Sequence, residues 1–195
     1  MKLCVTTRDA LVVVDVQRDF LPGGALAVKD GNDIIAPMNE YIRHFAAVGQ
    51  PIYFTRDWHP ADHLSFAQNG GVWPTHCVAE TNGASFSSEL YLPPDNKFIV
   101  SKGMAKEFDA YSGFQGTQLE ALLRERGIKR IFVGGLATDY CVKNTAVGAM
   151  NLGFGVVVLA DAMSGVEAQA GDCKRAVAAM LDLGAVAITL EDLKK

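Results

Sequence analysis

The sequence predicts an α/β protein built on a doubly wound parallel sheet, and two observations lead to this prediction. Short β-branched runs bounded by Gly, Pro or Asp recur along the chain, and they are nearly all apolar instead of alternating, as in parallel strands covered on both faces. Segments with helical spacing of apolar residues lie between these runs. Strands that alternate with helices form a parallel sheet with right-handed crossovers.

Six runs are expected to form the strands. They cover residues 11–14, 52–55, 98–100, 131–133, 156–159 and 186–189. Four helices are expected between them. The first covers residues 32–48 and places apolar side chains on one face, namely Ile35, Met38, Ile42 and Phe45. The second contains Leu119, Leu122 and Leu123 and stops at Gly127, and the last two cover about 138–152 and 170–183.

Composition indicates a globular protein and excludes several functional classes. With 195 residues, 49% of them hydrophobic, the chain is expected to form one domain over residues 1–195. Its net charge of −4 argues against nucleic acid or an anionic membrane as a partner. No apolar run approaches the roughly 18 to 20 residues of a membrane span, and the amino terminus lacks the apolar core of a signal peptide. Four scattered cysteines favour a reducing, cytoplasmic location, while the oligomeric state, a homo-oligomer included, stays open.

Reactive side chains follow several of the predicted strands. Asp15, Asp57 with His59, Lys102 and the segment 134–141 all come at or just after a strand's carboxyl end. In an open parallel sheet, ligands bind outside these ends. We therefore expect a functional site at this edge.

Cys141 is the candidate nucleophile among these residues. Thr138 is expected to cap the helix that follows, which places the thiol in the first turn and lowers its pKa. The amides of Ala137 and Cys141 are expected to form an oxyanion hole. Asp15 would accept the thiol proton if it faces Cys141, and Lys102 would balance the charge. Each has a simpler reading: a packed cysteine, a loop-capping carboxylate and a surface lysine.

A second group of residues suits a metal ion. Asp57 and His59 are two positions apart, and His76 returns from the long irregular segment 57–94. One carboxylate with two imidazoles suits zinc, iron or manganese, although a solvated polar loop is the alternative. His63 stays open as an additional ligand, and Cys77 is expected to point away in extended chain and to pack.

Five motifs together make the sequence resemble the nicotinamidase/pyrazinamidase family of isochorismatase-like cysteine hydrolases. They are DVQRDF at 15–20 with PGG at 22–24, RDWHP at 56–60, WPTHC at 73–77, AYSGF at 110–114 and GLATDYCV at 135–142. The resemblance runs over nearly the whole chain. It implies a three-layer α/β/α fold with a six-stranded parallel sheet. It also implies hydrolysis of nicotinamide, and of pyrazinamide, through a cysteine thioester, with a role in NAD salvage.

The resemblance also assigns roles to individual residues. Cys141 is the implied nucleophile, Asp15 the base and Lys102 the third catalytic residue. One divalent metal, zinc before iron or manganese, is held by Asp57, His59 and His76. The ring pocket is formed by four side chains: Phe20, Trp73, Tyr111 and Leu136. The resemblance further implies an oxyanion hole at Ala137 and Cys141 and a cis peptide between Leu136 and Ala137.

Three alternatives to this function remain at the level of sequence. A related hydrolase could act on isochorismate, a ureide or N-carbamoylsarcosine, although the metal-binding set argues against isochorismate. A metabolite-binding protein without catalysis would not need Asp15, Lys102 and Cys141 together. A structural metal protein would need a closed shell of four ligands.

Overall fold

The structure, a computed structural model, describes residues 2–194 and has a single sheet of six parallel strands in the order β3-β2-β1-β4-β5-β6. The strands are β1 (Asp9–Val14), β2 (Ile52–Asp57), β3 (Lys97–Lys102), β4 (Arg130–Leu136), β5 (Gly155–Ser164) and β6 (Val186–Ile188). The α-helices of the described chain are α1 (Ile35–Ala47), α2 (Leu119–Glu125), α3 (Lys143–Asn151) and α4 (Asp172–Asp182). The predicted three-layer α/β/α fold is therefore confirmed.

Two apolar cores lie on opposite faces of the sheet. Alternate residues of β1 divide between them, with Leu11 and Val13 on one face and Val12 and Val14 on the other. Helix α1 covers the first face, and the other three helices contribute to the second. Every residue of β1 is buried, which explains why residues 10–14 of this strand are apolar instead of alternating.

The strand order places a topological switch point between β1 and β4. From β1 the chain builds outward through β2 to β3, and then returns to add β4 on the other side of β1. The crevice between two strands whose connections run in opposite directions is where ligands bind in open α/β sheets. Asp15 and the segment after β4 meet at this crevice.

Close packing of β1 against β4 depends on Gly135. Its φ is +123°, and a Cβ there would lie 2.1 Å from the Val14 carbonyl oxygen. The β4–β5 register also shifts between Val133 and Gly135. Only glycine fits this position, and the irregular strand end directs the chain into the turn that carries Cys141.

Among residues 2–194, none of the helices is both long and apolar enough to traverse a bilayer.

Candidate active site

Asp15 follows β1 in a left-handed conformation, with a φ of +50°. This conformation is tolerated by aspartate and turns its side chain at the strand end. The carboxylate is fully buried, and its Oδ1 accepts a hydrogen bond of 2.7 Å from the Thr55 hydroxyl on neighbouring β2. Burial raises the pKa of Asp15, against the opposing effect of the Lys102 charge. A raised pKa suits a carboxylate that accepts a proton, which is the role the sequence predicts for Asp15.

Lys102 ends β3 directly opposite Asp57 in the strand register. Its ammonium donates hydrogen bonds to Asp57 Oδ1, to the Ala110 carbonyl oxygen at 3.0 Å and to Cys141 Sγ at 3.5 Å. These three bonds use the three hydrogens of the ammonium. Asp15 Oδ2 lies 2.9 Å from the same nitrogen, yet this buried oxygen has no hydrogen-bond partner within the described residues. Asp15 therefore keeps a free lone pair beside the thiol.

Cys141 lies in a π-helical turn, Thr138–Val142, which precedes α3. The amide of Val142 donates to the Ala137 carbonyl oxygen at 3.1 Å and closes this turn. The prediction that Thr138 caps a regular helix is wrong. Ala137 is the boundary residue, and no side chain caps the turn, because the irregular end of β4 leads directly into it.

The predicted lowering of the cysteine pKa is also wrong. Burial raises the pKa of the Cys141 thiol well above its usual range, and the carboxylates of Asp15 and Asp57 raise it further. The Lys102 ammonium opposes these effects without cancelling them. A turn of five residues cannot outweigh full burial beside two carboxylates. The resting thiol therefore carries its proton until a base removes it.

Three predicted metal ligands meet beside this thiol. One ligand atom each of Asp57, His59 and His76 lies within 4.8 Å of the others, and all three residues are buried. The Nδ1 atoms of His59 and His76 bond the carbonyl oxygens of Gly103 at 2.8 Å and Pro74 at 2.7 Å. Because a carbonyl oxygen only accepts, Nδ1 carries the hydrogen in both rings, and Nε2 is left as the ligand atom. The donor set fits a divalent transition metal.

His63 lies next to these ligands but outside the cluster. Its ring stacks on His59 with centroids 4.1 Å apart. Its Nδ1 lies 2.8 Å from Ser65 Oγ, and its Nε2 lies 3.2 Å from the Phe108 carbonyl oxygen. Both ring nitrogens thus contact protein atoms. His63 therefore packs its ring against that of His59 and is not one of the clustered ligands.

Cys77 packs in the core, as the sequence predicted, but for a different reason. Its φ is +46°, so the chain is not extended there. Its amide donates to Asp19 Oδ2 at 2.7 Å, which fixes the turn after His76. The thiol is fully buried, and burial raises its pKa far above the usual range.

Asp57 belongs to both groups, although the sequence suggested two separate ones. Its Oδ1 accepts from Lys102, and its Oδ2 lies 3.7 Å from His59 Nε2. Burial alone would raise the pKa of Asp57, but the Lys102 ammonium and His59 hold it below its usual range. Gln17 fixes the backbone here: its side chain accepts from the Asp57 amide and donates to the Asp57 carbonyl oxygen, both at 2.8 Å.

A narrow cavity opens onto Cys141 and the metal-ligand cluster. Three of the four predicted pocket residues line it: Phe20, Trp73 and Tyr111. The Trp73 indole donates to the Tyr111 hydroxyl at 2.9 Å, which joins two walls. The fourth prediction, Leu136, is wrong. Its side chain is fully buried in the core beside α1, because it belongs to β4 and not to the turn after it.

Other lining residues were not singled out from the sequence: Leu26, Asp109, Ala110, Tyr140 and Val166. Tyr140 lies in the turn that carries Cys141, and Asp109 and Ala110 precede the predicted Tyr111, so their nearness to predicted residues was a usable signal. Val166 had none. Its amide is held by Asp139 Oδ1 at 3.0 Å, a contact that only the folded chain reveals.

Ala137 and Cys141, the predicted oxyanion-hole residues, both line the cavity. The peptide bond between Leu136 and Ala137 is cis, as the resemblance implied.

Comparison with known proteins places these features in one family. Residues 9–192 match the isochorismatase domain. A nicotinamidase of Escherichia coli strain K12 is 38% identical over 204 aligned residues, which cover 94% of this chain and 95% of that protein. A pyrazinamidase of Pyrococcus horikoshii, solved in complex with zinc, superimposes with a TM-score of 0.90 at 46% identity, covering 94% of this chain and 99% of that one. PnC1 from L. infantum, solved with nicotinate, gives a TM-score of 0.89 at 34% identity over 100% and 99% of the two chains.

Proposed function

The chain belongs to the isochorismatase family, and we propose on this basis that it is a nicotinamidase, which hydrolyses nicotinamide to nicotinate and ammonia. Pyrazinamide, which has the same carboxamide on a similar ring, is a second substrate. The reaction returns free nicotinamide to NAD salvage. We place the enzyme in the cytoplasm because the cysteines of the described chain, Cys4, Cys77, Cys141 and Cys173, are all free.

One observation supports this activity above others: a three-ligand metal cluster and a cysteine line the same narrow cavity. Asp57, His59 and His76 line this cavity together with Cys141, and a ligand atom of Asp57 lies within 4.8 Å of the sulfur. Hydrolysis of a carboxamide needs a nucleophile, and a heteroaromatic ring needs an anchor. The residues that line this cavity offer both.

Acylation begins with proton transfer from the Cys141 thiol to Asp15. The free lone pair of Asp15 Oδ2 is the acceptor, and the Lys102 ammonium stabilises the thiolate that forms. The sulfur then attacks the amide carbon, and the amides of Ala137 and Cys141 hold the oxyanion. Asp15 returns the proton to the leaving nitrogen, so ammonia departs and a thioester remains on Cys141.

Deacylation uses the same residues, with water in place of the thiol as the nucleophile. Asp15, again a carboxylate, removes a proton from a water molecule, which attacks the thioester carbon. The carbon–sulfur bond breaks, the sulfur recovers a proton from Asp15, and the carboxylic acid leaves and loses its proton to solvent. Two proton transfers at one buried carboxylate thus serve each half of the reaction.

A divalent metal fits the cluster of Asp57, His59 and His76. When bound there, it would supply a borderline Lewis acid with an open coordination position for a pyridine nitrogen. We propose zinc, because the donor set of one carboxylate and two imidazoles suits it and the P. horikoshii relative holds zinc. The walls formed by Phe20, Trp73 and Tyr111 hold the ring flat beside the sulfur.

The central test is ammonia release by the purified protein and by Cys141→Ala. The wild-type protein should release ammonia from nicotinamide, and the variant should lose turnover while it retains its circular dichroism spectrum and metal content. Cys77→Ala is a matched control, because this free cysteine lies in the core and outside the cavity. Unchanged turnover in Cys141→Ala would refute the mechanism.

A panel of substrates separates the proposal from its alternatives. Nicotinamide, pyrazinamide, N-carbamoylsarcosine, a ureide and isochorismate are assayed on one preparation with known metal content. Turnover confined to the two heteroaromatic amides supports a nicotinamidase. A preference for N-carbamoylsarcosine or a ureide would assign the chain to another branch of the family, and binding without turnover would indicate a metabolite-binding protein.

A further inference from the structure

A second set of potential metal ligands adjoins the cavity, and two of its members, Asp57 and Cys141, line it. One ligand atom each of Asp15, Asp57 and Cys141 lies within 4.8 Å of the others, and all three residues are buried. Carboxylate oxygen and thiolate sulfur are established zinc ligands. The set adjoins the first cluster, because Asp57 belongs to both.

A lysine ammonium lies at the point where a metal ion would bind this second set. Lys102 Nζ hydrogen-bonds Asp57 and Cys141 and lies 2.9 Å from Asp15 Oδ2. Lys102 is itself 1% exposed, so its ammonium is shielded from bulk solvent. Asp15 Oδ2 points at the ammonium without a hydrogen from it. An oxygen with a free lone pair, buried and directed at a cation, is placed as a metal ligand would be.

We propose that Lys102 is a resident cation that prevents a second divalent metal from binding the nucleophile. This inference rests on the proposed roles of Cys141 and the metal cluster. It gives Lys102 a task beyond stabilising the thiolate: the ammonium hydrogen-bonds Asp57, balances the charge of Asp15 and fills the space between the two carboxylates and the sulfur.

The shared carboxylate explains why such exclusion is needed. A metal at Asp57, His59 and His76 brings a divalent cation next to Asp57, and carboxylates readily bridge two metals about 3.5–4 Å apart. A second metal at the other side of Asp57 would bind Cys141 with loss of the thiol proton to solvent. The sulfur lone pair would then lie in a metal–sulfur bond and could not attack an amide. The Lys102 ammonium, by contrast, holds the sulfur only through a hydrogen bond, so the sulfur can attack an amide without breaking a coordinate bond.

The test compares Lys102 with Lys102→Ala in a background that lacks the accessible thiols. Cys4 is exposed and Cys173 is half-buried, so both are replaced by serine, whereas Cys77 stays buried. The protein is stripped with a chelator and titrated with cobalt(II). Equilibrium dialysis gives the number of ions bound, and the thiolate-to-cobalt charge-transfer absorption reports a cobalt–sulfur bond. Neither readout requires nicotinamide.

We expect the background protein to bind one cobalt without the thiolate band. Lys102→Ala should bind a second cobalt at least tenfold more tightly than the background protein does, and should show the band. The band should disappear when Cys141→Ser is added to Lys102→Ala, which assigns it to this sulfur and excludes Cys77.

Two results would overturn the proposal: a thiolate band in the background protein at excess cobalt, or a folded Lys102→Ala without a band. Because that substitution leaves two buried carboxylates without their cation, Lys102→Gln is made as well. Its side chain retains a donor for the Ala110 carbonyl oxygen, has no charge and offers an amide oxygen to a metal, so it should also show the band. Failure of ammonia release in the wild-type protein would refute the proposed function and leave the cobalt result unchanged.

Discussion

The residues around the nucleophile and the metal ligands are held in place by different means. On the nucleophile side, Asp15 and Lys102 stand at strand ends, and the register of β1, β2 and β3 sets their separation. On the metal side, His59 and His76 lie on loop segments beyond the strands, and each is oriented by a hydrogen bond from its ring to a backbone carbonyl oxygen.

This difference separates the proposed catalytic residues, which lie at strand ends, from the proposed metal ligands on loops, which position the substrate. The strand-end residues are buried in a rigid sheet, so an isosteric change there should remove a function without moving its neighbours. The loop residues hold one another through local contacts, so a change there should loosen the whole metal cluster. Asp57 contacts Lys102 and also belongs to the metal cluster, so a change in either group should also affect the other.

The largest expected effect is from Asp15→Asn. The amide cannot accept the thiol proton, so kcat should fall by about 10²–10⁴-fold, with the fold retained. Steady-state ammonia release gives the rate, and urea denaturation gives the free energy of unfolding. A fall of less than tenfold would mean that another group removes the proton.

Asp9→Asn is the matched control at the opposite end of the same strand. Asp9 is also buried, and its two carboxylate oxygens accept from the Arg130 guanidinium at 2.8 and 2.6 Å. This variant should lose about 1–3 kcal/mol of unfolding free energy and keep its kcat. The pair thus tests whether the two ends of β1 serve chemistry and stability separately.

The next largest effect is expected from His59→Ala and His76→Ala. Loss of a direct ligand should weaken metal binding by more than the roughly 10–100-fold typical of residues that only support ligands. Metal content after dialysis against a chelator measures the change, and removal of metal from the wild-type protein should abolish ammonia release. His44→Ala, on the outer part of α1, is the control. Full metal occupancy in both ligand variants would contradict the assignment.

A smaller effect is expected from Asp139→Asn. The Asp139 carboxylate accepts hydrogen bonds from the amides of Val166 and Glu167 at 3.0 and 2.9 Å. Loss of the carboxylate should therefore loosen the wall of the cavity that Val166 forms. KM for nicotinamide should rise several-fold while kcat changes little, because the reacting groups stay in place.

Asp161→Asn is a control of the same kind at a residue that does not line the cavity. Its carboxylate also fixes a backbone amide, that of Leu190 at 2.9 Å, and accepts from the Tyr41 hydroxyl at 2.8 Å. Both variants should lose some stability, but only Asp139→Asn should change KM. Equal KM values would show that the Val166 wall has no part in substrate binding.

The parts of the site that follow strands could be predicted from sequence. β-branched runs mark where strands end, and parallel strands bring these ends to one edge. Asp15, Asp57 and Lys102 were found in this way. Leu136 was misassigned because β4 extends through it, and the extent of an irregular strand end is not visible in apolar patterning.

What the sequence could not reveal depends on tertiary contacts. The direction of the Cys141 pKa shift follows from full burial beside two carboxylates, which only the assembled sheet produces. Val166 reaches the cavity because Asp139 holds it there. His63 could not be separated from the ligands by spacing, since its nitrogens meet Ser65 and Phe108 only after the loops close.

The central pairing of β1 with β4 also bears on the order in which the enzyme is made. Asp15, Asp57 and Lys102 lie on or just after β1, β2 and β3, which pair with one another without any contribution from β4. The proposed nucleophile follows β4, so it is synthesised later and joins the sheet through the other edge of β1. A nascent chain that stops before β4 would therefore have the acid and the amine without the sulfur, together with an open edge of β1 that is prone to aggregation. Catalysis should begin only when the last half of the sheet has closed, so activity during translation would report completion of the fold.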